Sequence, residues 1–489
     1  MVAAASCNSK DDDEQYIMPQ SSQVTAFALA ANENVLLNLD SVFFSIDQLN
    51  FRIFNADSLP KGTRVNRLVP KLSVTSASIV EFRFKITDTR DTTINFIEHP
   101  QDTIDFSRGP VYLRVVSSDG QSTSNYTINV NVHKVKADSL QWSRLERSSI
   151  PSQFPIVTDA GSAHTADAFY CLSYYDGRYC MAKASDPAGT WTYSTPTLNF
   201  KPQLHTLTGT DDALFILSDD NRLMASQNGG STWIDTGSKW TVIYGNRGTL
   251  LLGGATENGR HTLLTYPATQ ATPAPAEFPV SGASQAVTYT IEMSDAPQTI
   301  ITGGRTATGE VSGATWGFDG MKWACLSRNG LPSLEGHTVV PYFVADISET
   351  NWSMTRKSVL MAMFGRKQDG TLNNTIYISR DLGMHWAKAD TTLQTPDAIP
   401  ARMDARGFVY KQTFYANGTK ASAKGHMTWS NVADYMPTAA FGLYRYATKP
   451  ITEWECPYIY LFGGCDSQGT FLNTVYRGVI NGFTFKPLQ

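Results

Sequence analysis

From residue 20 to about residue 137, apolar and polar side chains alternate with a period of two in short runs between polar turns, with no helical period of useful length. Ser78-Ile-Val-Glu-Phe-Arg-Phe-Lys-Ile86 and Val111-Tyr-Leu-Arg-Val-Val116 place every second side chain on one face, as a half-buried strand does. The turn Ser118-Asp119-Gly120 and the alternating run Tyr126–Val132 follow. Residues 111–132 are therefore predicted as a terminal hairpin closing a β-sandwich of about 110 residues.

After a junction near Val135–Asp138 the pattern becomes a repeat. Phe364–Tyr377 aligns with Phe462–Tyr476 after one residue of slippage, and both contain glycines at matching places. Upstream, Tyr342–Trp352 matches Tyr444–Trp454, and Thr299–Gly304 is a third strand ending in glycines. The two best copies lie 98 residues apart (364 to 462), which suits two blades of about 40 to 50 residues.

A second recurring element is a turn ending in tryptophan. Ser379-Arg-Asp381-Leu-Gly383-Met-His-Trp386 fits the Asp-box pattern S-x-D-x-G-x-x-W, and Ser226-Gln-Asn228-Gly-Gly230-Ser-Thr-Trp233 fits it with Asn for Asp. Asp186–Trp191 and Asp319–Trp323 are degenerate copies. In such a hairpin the Asx side chain caps turn amides, glycine takes the positive-φ position and tryptophan packs on a sheet, so the motif speaks for structure.

Strand ends near 191, 233, 278, 323, 386, 429 and 484 predict a β-propeller of seven blades, with six as the alternative; the segment 405–435 decides between them. Leu140–Leu145 is expected to pair with the last blade as a closing clasp, hiding the sheet edges.

A chain of 489 residues exceeds what one core serves and fits two domains. The expected division is 1–19 as a signal remnant and acidic linker, 20–137 as an Ig-like sandwich and 138–489 as the propeller, making the chain all-β. Hydrophobic residues make up 42%, enough to fill such cores. The net charge of -4, without a basic stripe, argues against nucleic acid as a partner. After the first few residues no apolar run approaches the roughly 18 needed to span a bilayer. Membrane attachment is expected only through the N-terminus.

There, Met1-Val-Ala-Ala-Ala-Ser6-Cys7 resembles the end of a bacterial lipoprotein signal, which implies acylation of Cys7. The acidic run Lys10-Asp-Asp-Asp-Glu14 resembles the signal that sends Bacteroidetes lipoproteins to the outer leaflet of the outer membrane. The first domain resembles the Ig-like or cadherin-like modules of secreted Bacteroidetes proteins. Together with the Asp-box turns and kelch-like double glycines, the whole chain resembles a family of uncharacterised two-domain Bacteroidetes surface lipoproteins. That resemblance implies a cell-surface location and carries no activity with it.

The remaining cysteines, at 171, 180, 325, 456 and 465, are odd in number and lack zinc-site spacing, so neither a full disulfide framework nor a structural metal is expected. Cys171 and Cys180 flank the turn Asp176-Gly177 and share a face one pair out of register, where a disulfide would be strained.

Asp boxes are frequent in sialidases, which clamp a carboxylate with three arginines. Phe51-Arg52-Ile53-Phe54 approaches a sialidase motif but falls in the sandwich, and the propeller arginines at 260, 305, 328, 356, 366, 402, 406 and 445 need folding to converge. Asp211-Asp212 and Asp219-Asp220 read as turn formers. No GxSxG elbow, phosphate-binding glycine loop or HExxH motif occurs, and no cofactor is expected.

Aromatic residues in blade loops, Tyr174, Tyr175, Trp240, Trp316, Trp352, Tyr415 and Trp454, are the candidate binding groups, since aromatic faces stack on sugar rings. The leading expectation is a non-catalytic surface binding or adhesion protein whose partner is a glycan or a surface protein. The alternative is a glycan-active hydrolase, sialidase-like or another glycosidase.

Overall fold

The computed structural model describes residues 21–55, 58–133, 139–145, 148–268, 270–291, 294–347, 354–415 and 453–480. Cys7 and the acidic run after it lie outside them. The chain divides between residues 137 and 138 into two compact units.

In the first unit, a six-stranded sheet has the spatial order Ser45–Asp47, Arg52–Phe54, Thr123–Asn129, Val111–Ser117, Ala77–Thr87 and Arg90–Asn95. A two-stranded ribbon, Val24–Leu29 with Pro70–Val74, contributes to the same core. The alternation read in the sequence is the cause: Val80, Phe82 and Phe84 point inward with Leu113, Val115, Tyr126 and Ile128, while Arg83 and Lys85 point out. The hairpin of Val111–Ser117 and Thr123–Asn129 does not close the sheet at an edge. Arg52–Phe54 adds in parallel beside it, which leaves the hairpin central.

The second unit contains six four-stranded antiparallel sheets among the described residues. Their first strands, Asp159–His164, Pro202–Gly209, Val242–Arg247, Val287–Ile291, Thr338–Ile347 and Arg406–Tyr415, adjoin one another in chain order and define blades 1 to 6. Six buried clusters fill the seams between consecutive blades, including Phe169, Cys171, Phe408 and Tyr460 between blades 1 and 6, which closes the ring.

Among the described residues there are six blades, the alternative of the two expected counts, where seven was favoured. Arg406–Tyr415 pairs along its whole length with Glu453–Phe462, so the stretch 416–452 that includes Trp429 connects two strands of one sheet. Residues 416–452 themselves lie outside the described residues. Leu140–Arg144 completes blade 6 by pairing with Val475–Ile480, the clasp read from the sequence. Trp142 lies flat against Gly478, where a Cβ would stand 2.9 Å from the indole; only glycine admits that contact.

Candidate functional site

All six inner strands begin on one face of the ring. Five of these beginnings surround a cavity of about 160 Å³: His205 and Thr206 of blade 2, Thr241–Tyr244 of blade 3, Ser281–Gln285 leading into blade 4, Gly336 and His337 of blade 5, and Asp404–Arg406 of blade 6. Asp159 opens the inner strand of blade 1 on the same face, within electrostatic range of His205.

One wall of the cavity is a repeated backbone step. The residue entering each of blades 4, 5 and 6 bridges the residue after that blade's paired glycines, or their equivalent: Ser281 with Arg305, Glu335 with Arg366, Met403 with Cys465. The next residue in each case is left-handed, at φ 63 for Gly282, 63 for Gly336 and 57 for Asp404. Gly336 N–H donates to the Gly282 carbonyl at 2.7 Å, and Asp404 N–H donates to the Gly336 carbonyl at 2.7 Å. Glycine suits this conformation in the first two steps, while the third holds an aspartate against the usual cost of left-handed backbone.

Two buried polar atoms here, Gln285 Oε1 and His337 Nδ1, have no partner among the described residues, while the Asp159 carboxylate accepts from the Ala160 N–H. His337 is 3% exposed; its other nitrogen, Nε2, meets Thr302 Oγ1 at 2.7 Å. Arg406 donates to the His205 carbonyl at 2.8 Å. Solvent reaches Asp404 and His205, yet the protein walls surround them. Burial therefore pushes the Asp404 carboxyl above its ordinary value against the pull of His205 and Arg406, and pushes His205 below its ordinary value. Burial raises Asp159 as well. Among the described residues no three His, Cys, Asp or Glu side chains gather as a metal would require.

Two of the aromatic residues singled out in the sequence belong to this face. Tyr174 pairs across the strands with Asp159, and Tyr174 and Tyr175 lead into the hairpin that Arg178 leaves. Tyr174 stacks at 5.1 Å on Tyr179, and Tyr175 lies 6.2 Å from Phe154, over which Arg178 sits at 5.3 Å. All four rings are half-buried, a shelf of aromatic surface on the rim. Trp240 and Trp316 are not on it: at 2% and 3% exposure they fill the seams on either side of blade 3, Trp316 against Phe278 at 4.9 Å. Tyr415 and Trp454 lie at the far end of the blade 6 hairpin, roughly 30 Å along the strand from Arg406. Trp352 is outside the described residues.

The Asp-box residues sit on the opposite face, in hairpins between third and fourth strands. Asp381 Oδ1 accepts from His385 N–H at 2.8 Å and from Ser379 Oγ at 2.9 Å; Trp386 Nε1 donates to Gly383 O at 3.1 Å. Asn228 repeats this with Thr232 N–H at 3.0 Å, and Trp233 Nε1 donates to Gly230 O at 3.1 Å. Both turns press on the preceding blade, Gly383 through a 2.6 Å bond from Thr315 Oγ1 and Gly230 against Met181.

The described arginines converge on no open position. Arg305 and Arg366 meet on Glu335 at 2.6 and 2.8 Å, Arg328 pairs with Glu277, Arg402 is fully buried, Arg260 is exposed on a hairpin, and Arg52 is exposed on its sandwich strand. Burial pushes the Glu335 carboxyl up, but the two guanidinium partners outweigh it and hold it below its ordinary range. Asp212 and Asp220 take turn bonds from Thr210 and Ser218.

Sequence reasoning missed Asp159, His205, Gln285, His337 and Asp404; Arg406 was named only as one of eight propeller arginines. The available signal was the alignment of residue 404 with Gly282 and Gly336, two residues before the inner strands of blades 5 and 6 and five before that of blade 4.

Six blades, a clasped ring and a polar cavity at the strand beginnings define a β-propeller protein with a preceding β domain. The chain belongs to the DUF6242 family: residues 136–488 match the DUF6242 beta propeller domain, and residues 19–130 match the domain of unknown function (DUF6242) N-terminal domain. No curated protein matches the chain. Solved structures similar to it include an auxiliary nutrient binding protein from Bacteroides thetaiotaomicron, 9% identical over 69% of this chain and 85% of that one, TM-score 0.33. YCF48 from Cyanidioschyzon merolae is 9% identical over 70% and 98%, TM-score 0.29. A GH74 xyloglucanase from Xanthomonas campestris is 17% identical over 58% and 44%, TM-score 0.28.

Proposed function

We propose that this is a non-catalytic binding or adhesion lipoprotein of the outer membrane, held at the cell surface by a lipid on Cys7, that takes a glycan on the cavity face of its propeller. The Asp159–Tyr174 pairing carries the reading, because it sets aromatic rings beside a cavity with polar groups in its wall. Sugars need that combination: apolar ring faces to stack and polar atoms to fix hydroxyls. The small residues before Cys7 and the acids after it support the anchor. The N-terminal unit is in this reading an Ig-like module.

A glycan array run together with a hydrolysis screen on the purified protein tests the proposal. Saturable binding without turnover is expected, and the Tyr174→Ala/Tyr175→Ala double variant is expected to lose at least tenfold in affinity. Labelled palmitate should enter the wild type and not Cys7→Ala.

A second reading, a glycan-active hydrolase, is favoured by one observation: Asp159 and Asp404 are both raised by burial, as a general acid must be. Turnover of any glycoside, lost in Asp404→Asn, would establish it in place of the first.

A further inference from the structure

The arginines around the cavity differ in how the protein treats their charge. Arg305 and Arg366 both pair with Glu335. Arg406, the first residue of the inner strand of blade 6, lines the cavity itself, and among the described residues no carboxylate forms an ion pair with it. Its one hydrogen bond there reaches past blade 1 to the His205 carbonyl at 2.8 Å, which leaves most of the guanidinium fork without an acceptor. Burial pushes the guanidinium below its usual pKa and Asp404 pulls it back; an arginine stays charged all the same. A half-buried guanidinium that the protein does not pair is a seat for an anion from outside.

The residue two positions earlier restricts which anion that is. Blades 4, 5 and 6 build the same backbone step, with Gly282 and Gly336 in the left-handed position of two copies and Asp404 in the third at φ 57. Gly336 makes room for it, since a Cβ there would stand 2.6 Å from Asp404 Oδ1. A side chain kept on strained backbone where the repeat uses glycine points to a purpose outside stability. Asp404 is exposed in the cavity lining beside Arg406, so a bare anion such as phosphate would meet the cation and this carboxylate together. A ligand that answers both groups carries an anionic group for Arg406 and hydroxyl donors for Asp404. An acidic sugar has the two on one ring, and its planar carboxylate matches the guanidinium fork.

We propose that Arg406 anchors the carboxylate of an acidic sugar, of the uronic-acid kind, while Asp404 accepts from hydroxyls of the same ring. This rests on the glycan-binding reading above and names the class of sugar that the cavity takes.

The test titrates the full-length protein by calorimetry with uronic-acid-bearing oligosaccharides, with the same oligosaccharides after reduction of the carboxyl group, with sulfated counterparts and with inorganic phosphate. The wild type should bind the uronic acids at least about tenfold tighter than the reduced forms, and that preference should shrink as salt rises. Arg406→Gln keeps a donor for the His205 carbonyl and removes the charge; it should melt with the wild type and bind acidic and reduced sugars equally. Asp404→Gly restores the residue that the other two steps carry, and should fold while binding both forms more weakly. Equal binding of the two forms by the wild type, or a preference that survives in Arg406→Gln, overturns the anchor and leaves the glycan reading standing. Phosphate or sulfated sugars bound as tightly as the uronic acids overturn the assignment of a sugar carboxylate, and unchanged affinities in Asp404→Gly overturn the role of that residue. Binding of no sugar overturns both readings. Should Arg406→Gln melt lower, the wild-type comparison of acidic with reduced sugars decides by itself.

Discussion

Asp381 Oδ1 accepts the backbone N–H of His385 at 2.8 Å, and the turn it closes leans on the blade before it through Thr315. Asp381→Ala leaves that amide to water and loosens the seat of Trp386. A turn bond of this kind is worth roughly 0.5–1.5 kcal/mol. The variant should melt a few degrees lower by calorimetry while keeping the ligand affinity of the wild type. Asp381→Asn should lose much less, because Asn228 performs the same task in blade 2. Abolished binding with unchanged melting would make Asp381 a ligand contact.

The same carboxylate gives a pH dependence. Burial pushes Asp381 up, but the hydrogen bonds from His385 and Ser379 outweigh it and hold its pKa below the ordinary value. A lowered carboxyl pKa stabilises the fold above the unfolded value, near 4, and the gain is lost as pH falls through the folded value. The melting difference between wild type and Asp381→Ala should therefore shrink below about pH 4.

Much of the fold was legible because its determinants are local. Alternation located strands of the first unit, glycine pairs the backbone steps of blades 5 and 6, and the turns ending in tryptophan the outer hairpins. Seven blades were favoured over six because Arg406–Tyr415 and Glu453–Phe462 pair across a connection longer than an ordinary hairpin, which a count of strand ends mistakes for another blade. The site was less legible. Tyr174 and Tyr175 were found by type, but an aromatic residue in a seam and one on a rim look alike in sequence, as Trp240 and Trp316 demonstrate. The cavity residues come from five blades and carry no local motif.

Trp316 tests that distinction. It is 3% exposed, on the third strand of blade 4, and packs against Phe278 at 4.9 Å. Trp316→Ala should cost about 3–5 kcal/mol in chemical denaturation. At temperatures where the variant stays folded, its affinity for ligand should match the wild type; a selective loss of binding with full stability would return Trp316 to the candidate site.

Arg402 joins blades 5 and 6 without a carboxylate. It is 0% exposed, donates to Gly463 O and Thr474 Oγ1 at 2.9 Å, and lies over Phe364 and Tyr476 at 5.7 and 5.2 Å. Arg402→Ala opens a cavity and strands both acceptors, an expected loss of roughly 2–5 kcal/mol. Arg402→Met keeps most of the volume and should lose less. Equal losses in urea unfolding would show that the hydrogen bonds, and not the filled space, dominate.

Three buried histidines predict acid sensitivity in the propeller. Burial lowers His164 to about 3, and His261 and His337 to about 4, all below the unfolded value of 6.5. His261 is locked between Tyr244 and Thr256, at 2.7 Å to each; Tyr244 spends its own proton on Pro279 O, so it accepts from His261 Nε2. Because the unfolded chain takes up these protons first, stability is full above about pH 6.5 and falls as pH drops toward the folded values. Each histidine contributes a slope of about 1.4 kcal/mol per pH unit within that window. Melting curves from pH 7.5 to 4.5 should show a progressive fall starting near 6.5, and His164→Phe, whose site is already lined by Phe169 and Phe408, should flatten it by about one third. A wild-type melting temperature constant down to pH 5 would mean that these imidazoles take up protons inside the folded protein near their ordinary value.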